Sequence, residues 1–378
     1  MPLAVDDGRL RAARMHAQLL MGPPAAGVVG AVRGAAALQA QDAQALRLAI
    51  RARTSGLTTA DVRSAVAEER SIVRTWAMRG TLHALPASDA GWIVDLLGPV
   101  FVRRFRRRRL ELGLDDELCE RAEYVIRDVL AGGTCLTRER LVEELNKADV
   151  PVPADGQAPA HLMAYAAMRG VVCRGPDTSG GDGGEPTYVL MREWVGAWEG
   201  RDTGSALAKL ARRYLWGYGP AGLEDFAAWS GLPAPMARRG WELVASEVAE
   251  VTTDRGPAWA PREFAEVLPA AGPTPALRLI GAFDACLLGY RGRDLAVPQR
   301  YKRQLAPGGG IVHPAVLVDG RAVARWRWGH GRESVVVEPF EHLSAELLGQ
   351  VDAEAADIGR FLRGERLRLD VREAAQAE

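Results

Sequence analysis

Residues Gly56–Pro86 read GLTTADVRSAVAEERSIVRTWAMRGTLHALP, and the order of residue types along them points to the fold. Thr58 and Thr59 stand where a side-chain oxygen can accept an exposed amide proton at a helix start, just ahead of the helical stretch DVRSAV. The tetrapeptide Ala77-Met78-Arg79-Gly80 follows that helical stretch, and the β-favouring residues TLHAL come after it. The same tetrapeptide recurs ninety residues on as Ala167-Met168-Arg169-Gly170. It again follows a helical stretch, ERLVEEL, opened by Thr137, and VVCRG and TYVLM supply β-type residues. Read in order, each copy is helix, turn, second helix and strand pair. That is the order of a winged helix-turn-helix.

A third, weaker copy lies at ALAKLARRYLWGYGPAGLEDFAAWSGL, with Gly219-Pro220 as its turn and Leu223–Trp229 as the following helix. The stretch Trp241–Thr253 is expected to give its third helix and first wing strand, with Asp254-Arg255-Gly256-Pro257 as the turn. A period near ninety residues is too long for a solenoid, so tandem domains are expected. Composition shifts at Leu114-Asp115-Asp116, Gly200–Gly204 and Ala270–Pro275 place the boundaries, and Gly175–Pro186 reads as a flexible wing tip. The remainder is β-rich, with LRLIGAF, AVLVDGRAVARWRW turning at Asp319-Gly320, and SVVVEPF before a polar helical tail. The expected fold is therefore α+β: three winged-helix units over residues 1–113, 114–200 and 201–272, then a β-rich domain with its tail over 273–378.

The 378 residues carry 48 cations and 48 anions, and 48% are hydrophobic, which argues against disorder. No stretch approaches the roughly 20 apolar residues that a bilayer span needs. The N-terminal MPLAVDDGRLRAARMH has no apolar signal core, so a cytoplasmic, nucleoid-associated protein is expected. Cys119, Cys135, Cys173 and Cys286 show no ligand spacing and read as small, reduced core residues. His16, His83, His161, His313, His330 and His342 form no metal-binding pattern, so neither metal nor cofactor is expected.

Charge is segregated along the chain. Lysine occurs only at Lys147, Lys209 and Lys302, and Arg103, Arg104, Arg106, Arg107, Arg108 and Arg109 form a run broken only by Phe105. Between Arg291 and Arg332 nine cations face only Asp294 and Asp319, whereas nine acids oppose five arginines from Glu341 onward. A neutral chain so divided can offer a basic face to a polyanion.

Leu38-Gln39-Ala40-Gln41-Asp42 precedes the helical stretch AQALRLAIRAR, for which Asp42 is a natural N-cap. Residues 38–41 then lie outside the helix. In an extended segment Gln39 and Gln41 project from one face. On composition alone, a solvated glutamine pair is much the commoner explanation, since such pairs before helices are commonplace.

With this Gln-apolar-Gln motif, RTWAMRGTLHALP (Arg74–Pro86), YGPAGLEDFAAWSGL (Tyr218–Leu232), FDACLLGYRGRD (Phe283–Asp294) and PGGGIVHPAVLVDGR (Pro307–Arg321), the whole chain resembles the AlkZ/YcaQ-type winged-helix DNA glycosylase superfamily. The resemblance implies three tandem winged helices and a β-rich region forming a C shape around a basic, concave, duplex-binding cleft. Its catalytic motif carries over as Gln39 and Gln41. Glutamine at the second position resembles the AlkZ branch, linked to self-resistance against DNA-alkylating natural products and to unhooking interstrand crosslinks; the sister branch carries Asp there. The implied activity is monofunctional hydrolysis of the N-glycosidic bond of N7-alkylated, cationic purines in double-stranded DNA.

That chemistry suits neutral amides. An N7-alkylated guanine leaves as a neutral base without prior protonation, and positive charge builds on the sugar. Two carboxamides can orient a water and turn carbonyl oxygens towards that charge, although neither is a useful base. With so few lysines, a Schiff-base lyase is not expected. Asp42 is a candidate for the cleft, where its charge could assist electrostatically, although a capping role suffices to explain it. Arg79, Thr81 and His83 are candidates for the cleft, with a backbone-bonded, partly buried histidine as the alternative for His83. Trp76 reads as core. Candidate DNA contacts are Arg103, Arg104, Arg106, Arg107, Arg291, Arg293, Arg300, Lys302, Arg303, Arg325 and Arg327. Trp326 and Trp328 share a strand face that suits either base stacking or core packing. The helix TADVRSAVAEERS carries Asp61, Glu68 and Glu69, which makes it a poor groove reader and favours a scaffold role. The rival readings are a tandem winged-helix transcription regulator and a damage-binding protein without catalysis.

Overall fold

Asp6 starts the first helix, Asp7–Ala17, by accepting the Arg9 amide at 2.8 Å, and Asp42 does the same for Ala43–Arg51 through Ala45 N at 2.9 Å. Such caps satisfy amide protons that the helix itself leaves open. The computed structural model describes residues 3–178, 184–268 and 276–373. It is a mixed α+β fold whose chain divides into two units. One gathers Met1–Val62, Ala208–Trp229 and Pro233–Glu378; the other holds Arg63–Leu207 and Ser230–Leu232.

In the first unit, Val248–Thr253 and Gly256–Pro261 form a hairpin, and Leu3–Val5 adds to it in parallel. A five-stranded sheet runs in the order Leu277–Ile280, Ala315–Val318, Arg321–Trp328, Ser334–Pro339, Arg368–Val371, antiparallel except for the last pair. Its turn at Asp319-Gly320 has positive φ at both residues, as short hairpin turns of this kind require. The helix Ala345–Arg363 buries Val351, Ala355 and Ile358 with Val316, Trp326, Val335 and Val337 of this sheet. Leu48 of Ala43–Arg51 joins the same cluster. Close approach depends on Gly281, where a Cβ would come 3.1 Å from Leu48 Cβ and 3.3 Å from the Ala45 carbonyl oxygen.

In the second unit, the hairpin Ile72–Trp76 with Leu82–Pro86 joins the hairpin Val172–Asp177 with Pro186–Leu190 through the Arg74–Arg174 register, and Leu136–Thr137 closes the far edge. Its core is built by Asp116–Val129, Arg138–Lys147 and Ala158–Met168, with Thr137 capping Arg138–Lys147. Trp76 packs against that core, partly buried. The helix Ala87–Arg104 crosses Ala158–Met168 at Gly98, where a Cβ would stand 1.9 Å from the Met168 carbonyl oxygen.

Four expectations need correction. The repeated tetrapeptide is not one structural element twice. Ala77–Gly80 turns between two antiparallel strands, whereas Met168 ends a helix and Arg169-Gly170 leads out of it. The two copies share a positive φ at Gly80 and Gly170, a local need common to a hairpin turn and a helix end. The third helix of the third copy is Ala234–Leu243, starting well before Trp241 because Pro233 and Pro235 suit a helix start. The C-terminal segment is no polar tail: Ala345–Arg363 is amphipathic and Arg368–Val371 completes the sheet. Cys135 is exposed rather than core. The expected linker Ala270–Pro275 and residues 179–183 of the second wing tip lie outside the described residues.

Candidate active site

Leu38 and Ala40 are buried, so the residues alternating with them, Gln39 and Gln41, project to the other side of an extended segment. Gln39 Nε2 donates to Gln41 Oε1 at 2.5 Å. Gln39 is half-buried and Gln41 exposed. The bond uses one N–H of Gln39 and one lone pair of Gln41. Asp42, also exposed and extended, spends a carboxylate oxygen on Ala45 N and thereby ties the pair to the start of Ala43–Arg51.

Two residues in this first unit that sequence reasoning missed anchor the other end of that helix. Arg51 is buried and donates to Glu354, Asp357 and the Leu279 carbonyl at 3.0, 3.1 and 2.6 Å. Arg53 meets Asp284 in two bonds of 2.8 and 2.9 Å, and neither side chain has any solvent exposure. It also donates to Gln18 Oε1 at 2.8 Å, and Gln18 donates in turn to the Gly217 carbonyl. These acids lie 231 and 303 or more residues along the chain from their arginines, so no local signal marks them.

In the second unit, Arg79 sits at the tip of the turn with φ 58°, and Thr81 Oγ1 donates to the Met78 carbonyl at 3.1 Å. His83 is 3% exposed, with Nδ1 2.9 Å from the Thr81 carbonyl oxygen, so Nδ1 carries the proton and donates. Burial first, and the neighbouring Arg79 charge second, push the His83 pKa down to about 3 against the opposing effect of the Thr81 bond. A neutral histidine inside the sheet results.

The arginine-rich segments differ from the expectation of unmatched charge. Arg106 is held by Asp116 at 2.7 Å, and Arg107 and Arg108 share Glu111 at 3.1 Å. Arg104 donates to the Gly231 carbonyl at 2.7 Å and lies over Phe101. Arg109 is buried, covers the Tyr165 ring and donates to the Val102 carbonyl at 2.8 Å. Glu111 meets Arg107 and Arg108 within the helix Arg106–Glu111, at i,i+4 and i,i+3, and Asp116 comes from the start of the next helix. Arg103 is exposed and without a partner among the described residues. In the first unit Arg291 pairs with Glu224, Arg300 with Glu341, and Lys302 with Asp294 at 3.5 Å. Arg325 and Arg327 share Glu338, and Arg293 donates to the Leu287 carbonyl at 2.9 Å. Arg303 is exposed and without a partner among the described residues. The local excess of cations is therefore largely met by acids from other parts of the chain.

Trp326 is buried, its Nε1 donating to the Ile280 carbonyl at 2.9 Å, with Trp328 edge-on against it, which settles that ring as core. The acidic helix Thr59–Ala67 uses Asp61 to accept the Thr58 amide and hydroxyl, and Ser64 donates to Glu68 at 2.8 Å.

Residues 32–361 match the family described as DNA glycosylase AlkZ-like. An interstrand DNA cross-link repair glycosylase of Streptomyces sahachiroi is 30% identical over 354 residues, 89% of this chain and 91% of that protein. The solved structure of the Streptomyces sahachiroi DNA glycosylase AlkZ superposes with a TM-score of 0.82 at 26% identity, covering 98% of this chain and all of the other. No helix among the described residues is long and apolar enough to cross a membrane.

Proposed function

Because the chain belongs to the AlkZ-like DNA glycosylase family, we propose that it hydrolyses the N-glycosidic bond of N7-alkylated, cationic purines in duplex DNA, with Gln39 and Gln41 as its catalytic pair. The observation that carries this reading is the 2.5 Å amide–amide bond on an extended segment tied to a capped helix. It fixes two dipoles relative to one another, which is what stabilising a developing charge without a titrating group demands.

The purine N7 already bears positive charge, so the C1′–N9 bond breaks with its electron pair going to the base, which departs neutral. The sugar is left as an oxocarbenium-like cation. A water held by the glutamine oxygens attacks C1′, and its proton passes to solvent; so electrophilic a carbon needs no strong base. Amide oxygens turned towards the sugar lower the energy of the cation as it forms.

The monofunctional, water-using route is supported by the lysines. Only three exist, and Lys147 is kept protonated by its bond to Glu144 at 2.7 Å, which denies it the free amine that a Schiff base needs. Crosslinked purines fit the same chemistry, in keeping with the name of the Streptomyces relative, and so does self-resistance to a DNA-alkylating natural product. The helix–hairpin units serve in this reading as winged-helix scaffolds rather than sequence readers. A bulky adduct does not enter a closed pocket, so full base extrusion is not required.

Release of N7-methylguanine from alkylated duplex DNA tests the assignment. Gln39→Ala and Gln41→Ala are each expected to slow single-turnover release by about 10- to 1000-fold through lost positioning. Undiminished release by the double variant disposes of the pair. Absence of release by the parent protein points instead to a binding protein.

A further inference from the structure

The helix that follows the glutamine pair is secured in an unusual way. Ala43–Arg51 is nine residues long, begins directly after Gln41 and Asp42, and ends among three carboxylates, the buried Asp284 and the partly buried Glu354 and Asp357. Replacing a buried ion pair by apolar groups of similar volume is commonly neutral or stabilising, so stability alone does not account for two such sites within three residues. Their directional bonds do something apolar packing cannot: they set the rotation and axial position of the helix. Arg53 reaches back to the Ala49 carbonyl at 2.9 Å while gripping Asp284 with two nitrogens. Asp284 is itself fixed by the Cys286 amide at 2.9 Å. Arg51 bridges Glu354 and the Leu279 carbonyl, and Glu354 also accepts the Leu279 amide at 2.8 Å.

We infer that Arg53 with Asp284, and Arg51 with Glu354, are positioning residues that hold the helix so that the Gln39–Gln41 pair stays in catalytic register. This rests on the reading of Gln39 and Gln41 as the catalytic pair. Neither arginine touches the reacting atoms. Each acts through the nine-residue helix, whose Leu48 face packs so close to Gly281 that an added Cβ would crowd it. A shift of about 1 Å in a reacting group is enough to cost around 100-fold in rate, so anchoring at the far end of a short rigid element is consequential.

The test is a panel of full-length proteins: the parent, Gln39→Ala, the double variant Arg53→Met with Asp284→Leu, and Arg51→Lys. Each is assayed for thermal midpoint, affinity for alkylated duplex DNA, and single-turnover release of N7-methylguanine well below the midpoint. The apolar double variant is expected to fold, to bind DNA within about twofold of the parent, and to release base at least about tenfold more slowly. Arg51→Lys keeps the charge but replaces the planar fork by a single ammonium, and is expected to lose about three- to tenfold in rate at unchanged affinity. That variant decides the matter should the double variant not fold. Release within twofold of the parent by a folded Arg51→Lys and by any folded double variant overturns the positioning role, because a purely structural part lowers the midpoint and leaves the rate alone. Parent-like release by Gln39→Ala instead sinks the catalytic reading, an outcome separate from the first.

Discussion

His83 shows how the surroundings of a titratable residue fix its charge. Burial outweighs the hydrogen bond to Thr81, so the ring stays neutral in the folded chain down to about pH 3, whereas in the unfolded chain it takes a proton near 6.5. The unfolded state therefore binds more protons between these values. Stability from this group is whole above about pH 6.5 and is lost as the pH falls towards 3. His83→Gln is expected to flatten the fall in urea midpoint between pH 7 and pH 5, when parent and variant are compared at both values. An unchanged slope would mean that the ring is protonated in the native state. Gln39 and Gln41 stand at the other extreme, since carboxamides hold the same charge at every pH and contribute through dipoles alone.

Helix starts were readable from a few neighbouring residues. Asp42, Thr58 and Thr137 each stand where a capping residue belongs, and the structure shows Asp42 and Thr137 accepting amides while Thr58 donates to Asp61. Asp42→Ala is expected to destabilise the chain by about 1 kcal/mol, with Asp42→Asn close to the parent, in equilibrium urea unfolding. Loss of the cap frees the segment that holds Gln41, so base release is expected to fall in the alanine variant as well. Element order within each copy was also legible, as were the hairpin turns. Strand partners were not: nothing in LAV at Leu3–Val5 announces a parallel pairing with Val251, and nothing in Arg174 announces Arg74. The repeated tetrapeptide misled because a hairpin turn and a helix end ask for the same backbone at glycine.

Over the whole molecule, the question is how many of its cations remain for a polyanion. Glu111, Asp116, Glu224, Glu338 and Glu341 each hold one or two of the arginines that stood out as basic segments. Arg103 and Arg303 are exposed and have no such partner among the described residues. If they meet phosphates, Arg103→Gln and Arg303→Gln are each expected to flatten the log–log dependence of DNA affinity on salt by about 0.9. Substituting Arg106, already held by Asp116, is expected to change that slope less. Binding titrations at four salt concentrations distinguish the two; equal slopes for all three variants would refute the distinction.

Residue order alone determined where helices begin, where hairpins turn and that two glutamines share a face, because these follow from dihedral preferences and bonds spanning a few positions. The three-dimensional fold decided which strands lie side by side, which arginines are neutralised, that His83 is enclosed, and that the buried Arg51 and Arg53 end on carboxylates far along the chain. Those outcomes depend on groups brought together from up to 306 positions apart, and burial and long-range charge pairing exist only once the chain has closed on itself.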